Sequence, residues 1–224
     1  CVASYSAAGV LAPNGKIYYA PSCVTRSLCV DPAAHVAEAF GPEIAGNSSY
    51  VAGGVLAPNG KIYFAPGGAQ GILCIDPSRQ TAELLAPDLF EVRAAKKLAA
   101  FLGKLYTAAG VLAPDGRVYF APNGAEQVLR VDPAAQAAEM LGPMIFGTFK
   151  YTAAGVLARN GQIYFAPCDA QRVLRIDPEA EVAEQLGPRI PGNFKYTAAG
   201  ALAPNGKIYF APCDAQRVLC IDPA

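Results

Sequence analysis

One period governs the whole chain. Asn-Gly or Asp-Gly pairs stand at Asn14, Asn59, Asp115, Asn160 and Asn205, and Asp-Pro pairs at Asp31, Asp76, Asp132, Asp177 and Asp222. Both sets are spaced by 45, 56, 45 and 45 residues. Two turn signals in fixed phase over five copies describe a repeated supersecondary unit, in which each unit buries its apolar face on the next. Between Tyr151–Pro178 and Tyr196–Pro223 only four of 28 positions differ, so the last two units are recent copies of one another.

Each unit is expected to hold four short strands. YTAAGVLAP is the first. An Asn-Gly hairpin turn, with both residues at positive φ, leads to KIYFAP, rich in β-favouring Ile, Tyr and Phe. A short loop then leads to RVLRID, an Asp-Pro turn follows, and VAEQLG closes the unit. The equivalent stretch AAQAAEML of the third unit has helical propensity, but a four-strand unit of roughly 40–50 residues is the pattern of a propeller blade. The expected fold is all-β, a single five-bladed β-propeller over residues 1–224 with units 5–49, 50–105, 106–150, 151–195 and 196–224. After Asp222 only Pro223 and Ala224 remain, so the last blade is expected to have three strands and an open edge.

Hydrophobic residues are 53% and charged residues 16% of the chain, enough to bury a core. With 18 basic and 18 acidic residues the net charge is zero, which argues against a general nucleic-acid binder. No apolar run reaches the roughly 20 residues of a membrane span, so direct membrane insertion is not expected. Seven cysteines, Cys1, Cys23, Cys29, Cys74, Cys168, Cys213 and Cys220, include no CxxC pair. Cys29, Cys74 and Cys220 share one repeat position with Arg130 and Arg175. That exchange with Arg suggests exposed thiols outside any disulfide framework, and a reducing intracellular compartment.

PDGRVYFAPNGAEQVLRVDPAA, residues 114–135, resembles a blade of the NHL, YVTN and senescence-marker/gluconolactonase propellers. The resemblance runs through nearly all of the chain, blade by blade. It implies that first strands line a central channel and that strand 2–3 loops share a ligand-binding face with the blade-linking loops. That face would carry Ser22-Cys23, Gly67-Gly68, Asn123-Gly124, Cys168-Asp169, Cys213-Asp214 and the linker 187–195. A gluconolactonase-type enzyme would hold a divalent metal on channel carboxylates and amides. The five first strands here contain no acid, Asn or His, a departure from that pattern. No catalytic residue, metal ligand set or cofactor is therefore assigned.

Binding candidates on the loop face are Cys168, Asp169, Cys213, Asp214 and Asn123. Thiols and carboxylates in adjacent blades could hold a soft metal, against the plainer reading of one loop copied by duplication. The single histidine, His35, follows an Asp-Pro turn on the opposite face and is expected to be an exposed turn residue. Tyr5, Tyr50, Tyr106, Tyr151 and Tyr196, with Tyr18, Tyr63, Tyr119, Tyr164 and Tyr209, recur once per blade. They are read as inter-blade packing, with sugar stacking as in the tachylectin lectins as the alternative. The insertion in the second unit, LFEVRAAKKLAAFLGKL (89–105), spaces its apolar residues as a short amphipathic helix between blades 2 and 3. It serves as a lid or as a docking element for another protein chain, with Phe90, Arg93, Lys97 and Phe101 as candidates. The functional reading is a non-catalytic binding or scaffolding module, a subunit of a larger assembly, engaging its partner through this helix or the open edge of the last blade. The alternatives are a lectin-like carbohydrate binder with one site per blade and a metal-dependent lactonase or lyase.

Overall fold

The computed structural model describes residues 4–44, 49–90 and 104–223. Among them are nineteen strands in five antiparallel sheets, four of four strands and a last one of three, each with its strands in sequence order. This is a five-bladed β-propeller. The fourth blade is representative, with strands Val156–Leu157, Ile163–Phe165, Val173–Asp177 and Val182–Leu186. AAQAAEML contributes Ala137–Leu141 as the fourth strand of blade 3, so sheet context overrides its helical propensity.

Two local expectations need correction. First strands are only two residues long, and the preceding Tyr-x-Ala-x-Gly leads irregularly towards the axis. There the backbones crowd. A Cβ on Gly53 would lie 3.1 Å from Ala109 Cβ and 3.9 Å from Ala8 Cβ, so bulkier residues have no room. At Gly155 a Cβ would meet the Phe165 ring at 2.5 Å, because that ring lies flat on the glycine backbone. The Asn-Gly turn is also not a two-residue hairpin. Gly15 N–H donates to Ala12 O (3.0 Å) and Ala12 N–H to Lys16 O (2.9 Å), and only Gly15 has positive φ, 78°. Pro13 and Asn14 thus form a type I turn and the glycine takes the left-handed position after it. Asn14 Oδ1 accepts from Lys16 N–H, which fixes the side chain for a second task described below.

The core lies between blades. Among the described residues are four apolar clusters, one joining blades 1 and 2 (Tyr18, Phe40, Phe64, Leu73), then one each for blades 2 and 3, 3 and 4, and 4 and 5. The tyrosines are part of this packing. Tyr50, Tyr106, Tyr151 and Tyr196 are buried, and each donates to the carbonyl 21 residues on, Tyr50 to Gly71 O at 2.8 Å. The second-strand Tyr18 donates across the junction to Pro77 O. Tyr63 accepts from Gln136 of the next blade.

The cysteine expectation is right in part. Cys29, Cys74, Cys168, Cys213 and Cys220 are free thiols, and Cys23 is disulfide-bonded. Only Cys213 and Cys220 are exposed, whereas Cys29 and Cys74 are buried. They sit in the third strand, between the second and fourth, opposite Tyr18 and Glu38 or Tyr63 and Glu83. Burial pushes the Cys74 thiol up to about 11. Arg130 is buried at this position too, held by Glu139 of its own sheet and Glu181 of blade 4. Exchange with Arg therefore marks a junction-facing slot that accepts either a neutral thiol or a paired cation, rather than a solvent-exposed one.

Candidate functional site on the loop face

The strand 2–3 loops and the segments linking successive blades are stitched by one continuous backbone ladder. Ser22 N–H donates to Ser4 O, Ser49 to Ser22 O, Gly67 to Ser49 O, Leu105 to Gly67 O and Asn123 to Leu105 O. Lys150 then donates to Asn123 O, Cys168 to Lys150 O, Lys195 to Cys168 O and Cys213 to Lys195 O. Loop and linker alternate, so all lie at one end of the ring, the face expected from the sequence. His35 is exposed in an Asp-Pro turn. These turns meet the Pro-Asn-Gly turns of the preceding blades, as Asn14 Nδ2 donates to Pro77 O and Asn59 Nδ2 to Pro133 O.

Two linkers carry the distinctive surface. Gly147-Thr148-Phe149-Lys150 and Gly192-Asn193-Phe194-Lys195 share one conformation, with Phe149 at φ 51°, Phe194 at φ 48° and both glycines at positive φ. This turn inverts the usual distribution. The lysines point inward, buried, with Lys150 Nζ donating to Gly147 O and Lys195 Nζ to Gly192 O, both at 2.6 Å. Burial holds the Lys195 ammonium below its ordinary range, opposed by the nearby Asp169 carboxylate. The phenylalanines point outward. Their rings lie 5.9 Å apart and both are exposed, with Met144 and the 76% exposed Phe146 alongside on the first linker.

Asp169 organises the region between these linkers. Its Oδ1 accepts the Phe194 N–H at 2.7 Å and the Cys168 thiol at 3.7 Å, and its own N–H donates to Phe149 O. Two shallow cavities flank it. One of about 300 Å³ is lined by Gln171, Arg189 and Asn193, the other, of about 360 Å³, by Phe146, Lys150 and Gln185.

The structure thus brings Asp169 and Cys168 together with the linkers but separates the other candidates. Asp214 and Cys213 repeat the loop of blade 4, with Asp214 N–H on Phe194 O, yet both are exposed. Asn123 is buried and donates from Nδ2 to Lys104 O at 2.8 Å, a linker-holding role. Among the described residues no three His, Cys, Asp or Glu side chains converge as a metal site. Phe90 is not an open docking contact. It is buried in the blade 2–3 cluster with Leu105, so it anchors the insertion to the propeller. Arg93, Lys97 and Phe101, with the amphipathic helix itself, lie outside the described residues. Sequence reasoning reached Phe194 and Lys195 only as part of the linker 187–195 and passed over Phe146, Phe149 and Lys150. The available signal was the shared G-x-F-K-Y at 147–151 and 192–196, absent from the other linkers.

No protein-family model and no curated protein matches this chain. Solved structures do. Virginiamycin B lyase of Staphylococcus aureus aligns at TM-score 0.66 and 11% identity, covering 99% of this chain and 71% of that one. Hydrazine synthase of Kuenenia stuttgartiensis aligns at 0.65 and 13%, covering 99% and 63%. A protein assigned as a gluconolactonase aligns at 0.57 and 15%, covering 96% and 74%. What they share with it is the propeller. At such identities the likeness speaks to fold alone, since one propeller frame carries unrelated chemistries.

Proposed function

We propose that the protein is a non-catalytic binding module, with NHL- and YVTN-like blades, whose loop face takes an apolar segment of another protein chain. The observation that carries this reading is the outward Phe149–Phe194 ring pair, 5.9 Å apart, with the exposed Met144 and Phe146 on the same linker as Phe149. Grouped exposed apolar side chains on an otherwise well-packed fold mark an interaction surface. Here the linkers spend two buried lysines in presenting them. The insertion anchored by Phe90 is a further route to the same class of partner.

A lectin with one site per blade would need accessible tyrosines at the repeated positions, and most of these are buried and hydrogen-bonded. A lactonase or lyase would need acid or amide groups where the first strands supply Ala, Gly, Ser, Thr and Val. The test is purification from the native source beside a Phe149→Ser/Phe194→Ser double variant. The wild-type protein should elute with a stoichiometric protein partner, and the variant, with its melting temperature unchanged, should lose it. Elution of the wild-type protein alone, or retention of the partner by the variant, would overturn the reading.

A further inference from the structure

The devices that join neighbouring blades recur along the junctions from blade 1 to blade 5 and, among the described residues, are missing between blade 5 and blade 1. The apolar clusters run from blade 1 to blade 5 in four steps, and among the described residues none returns to blade 1. The backbone ladder begins with the Ser4 N–H and ends with the Cys213 carbonyl, and neither has a backbone partner among the described residues. One end is a donor and the other an acceptor, as required of the two ends of an interrupted chain of identical links. The Asn side chains of the 1–2 turns agree. Asn14, Asn59 and Asn160 reach the Asp-Pro turn of the next blade, at Pro77, Pro133 and Pro223. Among the described residues Asn205 Nδ2 reaches its own Tyr209 hydroxyl and no Asp-Pro turn. On blade 5 the side chains that a following blade would cover are open, Val218 at 56% against 5% for Val173 in blade 4.

We infer that the space between blade 5 and blade 1 is the seat of further units of this same 45-residue repeat, about two of them. The chemistry of the occupant follows from the repeat itself. Tyr151–Pro178 and Tyr196–Pro223 differ at four of 28 positions, so blade 5 exposes the face that blade 4 buries against blade 5. A surface that fits a blade of this sequence on four occasions fits it on the fifth. The number follows from extent, since five units span 71% of the Staphylococcus lyase chain, leaving room for about two more in a ring of that size. A whole second copy brings five blades, more than such a gap holds.

The test extends the chain after Ala224 by residues 180–195 and two copies of residues 151–195, and follows alkylation of Cys213 by peptide mass spectrometry. A control carries residues 180–187 alone, which supply the missing fourth strand of blade 5 but neither the linker that bonds the loop carbonyl of Cys168 in blade 4 nor a blade beyond it. Cys213 should be alkylated at least about tenfold more slowly in the long extension than in either the control or the 224-residue chain, because its loop becomes a covered junction. Three results would overturn the inference. Alkylation could be unchanged by the two repeats. It could already be slow in the monomeric 224-residue chain, meaning that blades 5 and 1 close on each other. It could slow with concentration as dimers form, meaning that a second copy fills the gap.

Discussion

Blades 4 and 5 place almost the same residues in two different surroundings. Ala166, Cys168 and Val173 are buried, while Ala211, Cys213 and Val218, their copies, are exposed. Within each blade the arrangement is unchanged. Phe165 and Phe210 stack on Gly155 and Gly200, Tyr151 and Tyr196 bond to carbonyls 21 residues on, and each loop cysteine donates to its own aspartate at 3.7 Å. What differs is the neighbour. A repeat therefore fixes its internal geometry alone, whereas burial, thiol chemistry and the energetic weight of a side chain belong to the junction.

The comparison is broken most directly by thiol chemistry. Cys168 is fully covered and burial raises its pKa, so both access and thiolate fraction are low. Cys213 lies open at the same loop position. Alkylation of the native protein near neutral pH should modify Cys213 at least about a hundredfold faster than Cys168, which waits on local opening of its junction. Equal rates, read peptide by peptide, would mean that the two loops share one environment and that the contrast between blades is wrong.

The same contrast should appear in stability. Val173→Ala removes two buried carbons between blades 4 and 5 and should cost about 2 kcal/mol, seen as a lower urea midpoint with an unchanged slope. Val218→Ala removes the same atoms from a side chain that is more than half exposed, and should cost only a few tenths of a kcal/mol. Matching losses would place Val218 in a packed junction.

How far the sequence reveals this follows from the same distinction. Features internal to a unit were legible, because they rest on local chemistry repeated five times. These include the four strands and the Asp-Pro turns, whereas the three-stranded last blade came from the short stretch after Asp222 and the shared loop face from the resemblance to known propellers. The two-residue first strands were not, since YTAAG has strand-like spacing and gives way only because backbones from several blades crowd at the axis near Gly53 and Ala109. The burial of Cys29 and Cys74 was hidden for a related reason, as the side chains around them come from other strands and from the adjoining blade. Of the candidate site, Asp169 was legible as a loop-face residue. The outward Phe149 and Phe194 depend on a left-handed backbone at a non-glycine residue, which no propensity argument assigns to Phe.

The smallest expected effect separates junctions by how they are bonded. Between blades 3 and 4, Glu181 accepts from Arg130 at 2.8 Å and from Arg117 at 3.0 Å, and Arg130 also pairs with Glu139. Arg130 holds the Glu181 carboxyl below its ordinary value of 4.5. A folded-state pKa below the unfolded one gives stabilisation that is complete above the ordinary value and is lost as pH falls through the folded value. Between blades 4 and 5 the corresponding links are Asn160 to Pro223 O and Arg159 to Pro204 O, whose carbonyl acceptors do not titrate. The stability deficit of Glu181→Gln should therefore shrink as urea titrations move from about pH 6 to about pH 3, and shrink with added salt because Glu181 is half exposed. The deficit of Asn160→Ala should stay level across the same range. A Glu181→Gln deficit that is equally flat would leave the carboxylate with no part in joining blades 3 and 4, and the ionic junction would differ from the neutral one in appearance alone.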